Sequence, residues 1–174
     1  CTLDGGCAQG ASCSPSSTCQ ACWSSFTDDF SMGAGRWTLT GATIGGTLSM
    51  TVISRNAAPD VATARTMPLP LRGCGVTVEL TTAPDVSSNF SGRIALSPPS
   101  APQPSFQFEM DSRGLVAAWA LSDGGVGATV VAPPATAWPR WLRIEESAGQ
   151  VRFRTSSTTT FTTVQSVAHG ELLD

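Results

Sequence analysis

Two short stretches of alternating apolar and charged residues, joined by a glycine-containing break, constrain the fold of this chain more than any other feature. They lie between Trp138 and Thr155 and flank the break Ser147-Ala148-Gly149. Alternation with a period of two places successive side chains on opposite faces of a β-strand, and a short glycine-bearing break between two such strands is typical of a β-hairpin. The residues predicted to face a core are Leu142, Ile144, Val151 and Phe153, and those predicted to face away from it are Arg143, Glu145, Arg152 and Arg154.

The composition limits the chain to one substantial core and excludes two classes of partner. A length of 174 residues suits a single domain with a small appendage. Charged residues make up 13% of the chain, which is about half the fraction in typical soluble domains. The net charge is −3 with no run of like charges, which excludes a nucleic-acid footprint and a basic membrane-binding surface. No apolar run approaches the ~20 residues of a transmembrane helix, and no signal-peptide pattern is present.

Cysteines are concentrated at the amino-terminal end, where five of the six lie within the first 22 residues. This segment has almost no apolar bulk to bury, so cross-links must hold its shape. Such use of cysteine is typical of an oxidising compartment and predicts an extracellular or cell-surface protein. All ten basic residues are arginine, which indicates a GC-rich, bacterial genome. We predict a disulfide-stabilised head at 1–22 and a second domain at 23–174.

The six cysteines are most simply arranged as two bridges inside the head and one tether to the rest of the chain. Four head cysteines allow three connectivities, and sequence alone does not choose among them. A tether over such a long loop is worth on the order of 4 kcal/mol in the chain-entropy model. The pairs that we favour are Cys1 with Cys13, Cys7 with Cys19, and Cys22 with Cys74.

Two other interpretations of the head stay open. Cys19-x-x-Cys22 could begin a zinc site, but no second C-x-x-C follows and the only histidine is His169. Cys1 could instead carry the lipid of a bacterial lipoprotein, which would anchor the chain to a membrane. Lipidation of Cys1 would leave an odd thiol, so we favour the disulfide interpretation.

Beyond the head, the chain consists of short strand-like runs separated by Gly, Pro, Asn and Asp. No window shows a 3.6-residue apolar period over eleven or more residues, so no helix is predicted. Many short strands with regular turn signals predict an all-β, antiparallel two-sheet sandwich. The predicted strands are 26–30, 37–40, 47–53, 62–67, 76–81, 92–97, 106–111, 115–121, 128–131, 141–145, 151–155 and 161–167.

Several parts of the region 23–167 share a pattern with a known fold family. They are FTDDF at 26–30 followed by Arg36-Trp37 and GTL at 46–48, the hairpin 106–119, and WLRI at 141–144 with VRF at 151–153. Together they resemble the concanavalin A-like lectin/glucanase jelly roll of the laminin-G-like type. The head resembles short cysteine modules that precede such domains in secreted bacterial proteins. The family has a further strand after the position of Val167, so the resemblance implies that the strand order differs, that the sequence is truncated, or that the sheet has an open edge, which would invite pairing with another chain.

The resemblance to glucanases directs attention to Glu109-Met110-Asp111. Retaining glycosidases of this superfamily use E-x-D-x-E, in which one glutamate attacks and the other protonates the leaving oxygen. Here Arg113 stands at the position of the second glutamate. The motif lacks its acid/base, and we predict no enzymatic activity.

The wet face of the sheet is the predicted binding surface, because polar side chains from neighbouring strands would point to one side. Their donors and acceptors suit sugar hydroxyl groups, and a tryptophan could support a sugar ring. The alternative is that opposite charges merely pair on a solvated face. Trp37 and Trp141 are predicted to lie in the core. The predicted ligand-binding residues are Gln107, Glu109, Trp119, Arg143, Glu145, Arg152 and Arg154, with Arg93 and Trp138 as further candidates.

Loop aspartates could bind calcium, which is common in laminin-G-like domains, although no dense D-x-D-x-D loop exists and Asp is also a turn-former. We therefore predict no obligate cofactor. The expected function is a non-catalytic, lectin-like carbohydrate-binding module whose partner is a polysaccharide or cell-surface glycan. The alternatives are a structural or adhesive subunit that forms a homo-oligomer or polymer through its open sheet edge and, less favoured, a glycoside hydrolase. The loop aspartates are Asp28, Asp29, Asp60, Asp85 and Asp123.

Overall fold

The computed structural model describes residues 11–13, 19–21, 35, 37–40, 42–44, 48–50, 63–66, 75–82, 92–97, 104–134, 137–147, 149–158 and 160–168. All regular structure in these ranges is β-strand. A search of the same residues finds no helix with the length and apolar character needed to cross a membrane. The all-β prediction is therefore confirmed for this part of the chain.

The described residues contain fourteen strands. The predicted strand 37–40 coincides with its observed strand, and most others differ from the observed bounds by one or two residues. Three strands were not predicted, namely β1, β2 and β4, and the predicted strand 26–30 lies outside the described residues. The strands are β1 Ala11–Cys13, β2 Cys19–Ala21, β3 Trp37–Thr40, β4 Ala42–Ile44, β5 Leu48–Met50, β6 Thr63–Thr66, β7 Gly75–Glu79, β8 Gly92–Leu96, β9 Ser105–Asp111, β10 Gly114–Ala120, β11 Val126–Ala132, β12 Trp141–Ser147, β13 Gln150–Ser156 and β14 Thr162–Ala168.

The chain divides into two compact units, of which one comprises 1–23 with 70–174 and the other 24–69. The smaller unit contains the antiparallel pairs β3–β6 and β4–β5. The larger unit contains the β1–β2 hairpin and two four-stranded antiparallel sheets. The predicted boundary between residues 22 and 23 stays a prediction.

In the β1–β2 hairpin, Cys13 is directly opposite Cys19. The other four cysteines lie outside the described residues, so the predicted connectivity stays a prediction.

The two four-stranded sheets of the larger unit are named here sheet A, with strand order β11-β10-β9-β8, and sheet B, with strand order β14-β13-β12-β7. Three consecutive antiparallel pairings build sheet A. In sheet B, β12, β13 and β14 pair in chain order. Strand β7, which precedes the strands of sheet A in the sequence, pairs with β12. The predicted antiparallel two-sheet architecture is confirmed at this level.

The core between the sheets is centred on Phe153 of β13, which is fully buried. Its ring centroid lies 5.4 Å from that of Phe108, 6.5 Å from that of Phe106 and 6.3 Å from that of Trp119, all in sheet A. One aromatic ring thus joins both sheets. The buried cluster around it consists of Phe106, Phe108, Met110, Leu115, Ala117, Ala132, Leu142, Ile144, Val151 and Val167.

The hairpin predicted from alternation is formed by β12 and β13. Leu142 is opposite Thr155 and Ile144 is opposite Phe153, and this parity carries the apolar set into the core. Arg143, Glu145, Arg152 and Arg154 have the other parity and lie on the outer face of sheet B, as predicted. Trp141 differs from its prediction as a core residue. It shares the parity of Arg143 and lies half-buried on the outer face.

Candidate functional site

The predicted polar residues lie on two different surfaces. Gln107 and Glu109 belong to β9 and lie on the outer face of sheet A, where Arg93 of β8 is opposite Glu109. The four charged residues of β12 and β13 lie on the outer face of sheet B. Because the core separates the sheets, these groups cannot contact one sugar together. We name the two surfaces the carboxylate face, formed by Gln107, Glu109, Asp111 and Arg113, and the arginine face, formed by Arg143, Glu145, Arg152, Arg154 and Phe161.

On the carboxylate face, the tight turn between β9 and β10 brings Arg113 back over the two acids. Its Nη2 donates to Glu109 Oε2 and to Asp111 Oδ2, each at 2.6 Å. The second oxygen of Glu109 accepts from Gln107 Nε2 at 2.7 Å. The second oxygen of Asp111 accepts from the Arg113 backbone N–H at 2.7 Å. All four carboxylate oxygens therefore have donors.

Arg113 also changes the acid–base behaviour of this turn. Hydrogen bonds from its side chain hold the pKa of Asp111 below the ordinary value, and this effect outweighs the opposing effect of partial burial. The same contacts raise the pKa of Arg113. Arg113 thus sits where the glucanase pattern has its second glutamate, and it holds Glu109 in a hydrogen-bonded ion pair.

On the arginine face, Arg143 and Arg154 are directly opposite each other across β12 and β13. The carboxylate of Glu145 lies between them. Arg143 Nε is 2.7 Å from Glu145 Oε2, and Arg154 Nη1 donates to Glu145 Oε1 at 3.0 Å. The Glu145 side chain is only 11% exposed. Like charges opposed across a strand pair repel each other, so this one carboxylate offsets the repulsion between two guanidinium groups.

Phe161, which precedes β14, completes the arginine face. Its ring centroid lies 5.8 Å from the guanidinium carbon of Arg143 and 5.9 Å from that of Arg154. Its backbone oxygen accepts from Arg154 Nη2 at 3.0 Å. A ring in this position adds a cation–π attraction to each guanidinium and shields both from water.

Two donors on this face are not used. The Nε atoms of Arg143 and Arg154 are buried and have no hydrogen-bond partner in the part of the chain that the structure describes. The short contact of Arg143 Nε with Glu145 is an ion pair by distance, but its N–H does not point at the carboxylate oxygen. Buried donors without partners are uncommon in native proteins, and an ordered water or an ion is one way in which such a group is satisfied.

Comparisons with known proteins add nothing to this geometry. No family model, curated protein or solved structure matches the chain.

The tryptophans occupy other places than the sequence suggested. Trp119 is half-buried and turned to the core, and its indole lies over Gly127, where an added Cβ would be 2.2 Å from Trp119 Cζ2. Trp138 also packs against the core. Trp141 lies on the outer face of sheet B, with the guanidinium carbon of Arg140 5.6 Å from its ring centroid. Trp37 is half-buried in β3.

The sequence did not predict that two aromatic residues, Trp141 and Phe161, lie on the outer face of sheet B. Trp141 could have been found, because it alternates with Leu142 and Ile144 in the same strand. Phe161 carries no such signal, since it stands alone in a run of Ser and Thr and only the pairing of β13 with β14 brings it beside the arginines.

The loop aspartates do not assemble a metal site within the residues described. Asp123 accepts a hydrogen bond from the Gly125 backbone N–H at 2.9 Å, which is the behaviour of a turn-former. No group of three or more His, Cys, Asp or Glu side chains is gathered in the described ranges. The other four aspartates lie outside them.

Proposed function

We propose that the chain is an exported, non-catalytic carbohydrate-binding module that uses the arginine face. The observation that carries this proposal is the combination of two aromatic rings with paired guanidinium groups on one outer sheet surface. Sugar hydroxyl and carboxyl oxygens accept hydrogen bonds from guanidinium N–H groups. The C–H faces of sugar rings pack against aromatic side chains such as Trp141 and Phe161.

The finer fold and the location are part of the same proposal. A concanavalin A-like jelly roll is supported by two antiparallel sheets around one core and by the entry of β7 beside β12. Export is supported by six cysteines in 174 residues. Intact-mass measurement of the exported protein separates the two interpretations of Cys1, because three disulfides lower the mass by six hydrogen atoms and an acyl anchor raises it.

A glycan and polysaccharide array with the oxidised protein tests the function. We expect binding that persists when calcium is replaced by a chelator. Arg143→Gln should weaken it, whereas Arg113→Gln on the carboxylate face should not. Binding that is lost in chelator would move the site to the loop aspartates, and silence in both conditions would contradict the proposal.

A second candidate function is a structural or adhesive subunit that assembles through sheet edges. The observation that favours it is the position of β11 and β14, each of which ends its sheet in the described strand order. Thr129 of β11 donates to Gln165 of β14 at 3.2 Å, so the two edges lie side by side. Val126 and Val130 on β11 are 74% and 54% exposed. Strand edges of this kind can pair with another chain.

Sedimentation and electron microscopy test this second candidate. Ligand-free protein at rising concentration should form long polymers if edges pair. Val126→Lys places a charge on the β11 edge and should suppress polymers, with Val126→Thr, which keeps the side-chain shape without the charge, as a control. Monomers at all concentrations would exclude the candidate.

Glycoside hydrolysis has less support. Glu109 would be the nucleophile, but Gln107 and Arg113 already occupy its two oxygens. Release of reducing sugar from a polysaccharide that Glu109→Gln abolishes would establish hydrolysis against our expectation.

A further inference from the structure

We propose that the arginine face binds the carboxylate groups of an acidic polysaccharide. This inference rests on the proposed carbohydrate-binding function and adds the chemical class of the ligand. Its first support is charge. Arg143, Arg152 and Arg154 face one Glu145 on adjacent strands, which leaves two positive charges in a chain whose net charge is −3.

The positions of the arginines make this excess positive charge suitable for a carboxylate ligand. Arg143 and Arg154 are held opposite each other, and the single carboxylate between them uses only some of their N–H groups. Each guanidinium carries five N–H donors in a planar fork. A planar carboxylate can accept two parallel hydrogen bonds from such a fork. A second carboxylate, supplied by a ligand, would therefore find donors already in place.

Burial strengthens the same conclusion. The side chains of Arg143 and Arg154 are 33% and 29% exposed, and their Nε atoms are buried without hydrogen-bond partners in the described residues. Phe161 covers both guanidinium groups from one side. Partial removal of water makes each charge-assisted hydrogen bond stronger than it is on an open surface.

The arrangement suits a polymer better than a single anion. Arg152 lies two residues from Arg154 on the same face of β13, a separation of about 7 Å along the strand. Arg152 forms no hydrogen bond or ion pair with the residues that the structure describes. A second positive centre along the strand can take a second carboxylate on the same chain, and the gain from linking two weak contacts is that of multivalent binding.

Calorimetric titration of the oxidised full chain with matched polysaccharides tests the inference. The probes are polygalacturonate, its methyl ester, which has the same backbone without charge, and dextran sulfate with unmodified dextran. We expect polygalacturonate to bind about tenfold more tightly than its ester, as loss of charge-assisted hydrogen bonds implies. The preference should shrink as salt is raised, because the arginines are partly exposed.

Four variants locate the effect. Arg154→Gln and Arg152→Gln should each weaken binding of polygalacturonate by about five- to tenfold. Arg93→Gln, which removes the same charge from the outer face of sheet A, should leave it unchanged. Arg152→Gln keeps the test valid if Arg154→Gln does not fold, since Arg152 is opposite Glu145 but forms no hydrogen bond or ion pair with the described residues. Glu145→Gln should bind polygalacturonate more tightly than the wild type.

The outcomes separate the inference from the function. Equal binding of polygalacturonate and its ester, unaffected by Arg152→Gln, would overturn the inference and leave the carbohydrate-binding function standing. Tighter binding of dextran sulfate than of polygalacturonate would overturn the assignment to carboxylates. Equal weakening by Arg93→Gln and Arg152→Gln would show a nonspecific charge effect and overturn the assigned site. Failure of every polysaccharide to bind would overturn both proposals.

Discussion

Both outer faces of the sandwich carry arginine beside acidic residues, but the ratio of guanidinium to carboxylate groups is opposite on the two faces. On the carboxylate face, Glu109 and Asp111 share the guanidinium of Arg113. On the arginine face, two guanidinium groups share the carboxylate of Glu145. The first arrangement leaves no carboxylate oxygen without a donor, whereas the second leaves buried N–H donors without acceptors among the described residues. An ion cluster completed by its own residues stabilises a turn, whereas the spare donors of the arginine face are what the proposed binding would use.

Exposure separates the two faces further. The Arg113 side chain is 52% exposed and Glu109 is 27% exposed. The Glu145 side chain is 11% exposed, and those of its partners Arg143 and Arg154 are 33% and 29% exposed. Coulomb interactions strengthen as water is removed, and an uncompensated charge becomes more costly for the same reason. We therefore expect substitutions on the arginine face to have larger effects.

The largest loss of stability should come from Phe153→Ala. The comparison of the two faces requires that both belong to one sandwich, and Phe153 joins its two sheets. Phe153 is fully buried and its ring contacts three aromatic residues of sheet A. Removal of a buried phenylalanine side chain costs about 3–5 kcal/mol. Urea unfolding monitored by tryptophan fluorescence and by far-UV circular dichroism should show a single, earlier transition.

Val126→Ala is the control for this experiment. Val126 is 74% exposed on β11, and substitutions at exposed positions usually change stability by less than about 0.5 kcal/mol. Two separate transitions in Phe153→Ala, one for each sheet, would show that the sheets are not joined as described here.

The next effect compares one glutamate from each face. Glu145→Gln removes the charge that separates Arg143 from Arg154, and we expect a loss of about 1–3 kcal/mol, below the range for fully buried pairs because the arginines are partly exposed. Glu109→Gln removes the matching charge from the carboxylate face and should cost less than about 1 kcal/mol. Chemical denaturation with urea at low and high salt measures both.

The effect of salt on stability shows whether repulsion between like charges causes the loss in Glu145→Gln. The two arginines repel each other in Glu145→Gln, so added salt should recover part of its lost stability. Equal losses for the two glutamate variants would mean that the difference in burial between the faces has no energetic consequence. The same variant is expected to bind an acidic polysaccharide more tightly, so its stability and its affinity should move in opposite directions.

A third prediction concerns the turn that holds Arg113 in place. Gly114 has φ +101, and a Cβ at this position would lie 2.1 Å from the backbone oxygen of Ala132. Gly114→Ala should therefore cost about 1–3 kcal/mol from backbone strain, with steric displacement of β11 in addition. Gly124 has φ +90 but open space around it, so Gly124→Ala reports the backbone strain alone. Equal losses would place the whole cost in the dihedral angle.

The sequence predicted the local features of both faces. Alternation in β12 and β13 correctly assigned Leu142, Ile144, Val151 and Phe153 to the core, because a period of two is a direct consequence of strand geometry. The turn at Asp111-Ser112-Arg113-Gly114 was also located, since glycine and aspartate mark such turns. Strands without alternation were harder to interpret. The apolar residues of β10 form a continuous run, so the sequence did not indicate that Trp119 faces the core.

Long-range pairing was not predictable in the same way. Nothing in the sequence indicates that Gln107 and Arg143 belong to different sheets, because strand order is decided by packing over the whole chain. The contact of Phe161 with two arginines depends on the pairing of β13 with β14 and on the register shift beside Phe153. The polar residues were identified as residue types, but their division into two surfaces required the fold.

The smallest expected effect tests the carboxylate face by pH. Arg113 holds the pKa of Asp111 below its ordinary value of 3.8, so the folded state binds the proton less readily than the unfolded state. The contribution of Asp111 to stability is then fully present above the unfolded pKa and is lost as pH falls through the folded pKa. Asp111→Asn should be slightly less stable than the wild type at pH 7, and the two should converge below pH 4.

Arg113→Gln provides the reciprocal test, because it removes the hydrogen bonds that lower the pKa of Asp111. Urea midpoints at pH 7, 5, 4 and 3 for the wild type, both single variants and the double variant form a thermodynamic cycle. If Arg113 acts mainly through Asp111, the double variant loses little more than either single variant at pH 7. Additive losses, or a gap between wild type and Asp111→Asn that widens as pH falls, would show that this ion pair does not stabilise the turn. The carboxylate face would then have an unpaired charge of its own, and the contrast with the arginine face would rest on burial alone.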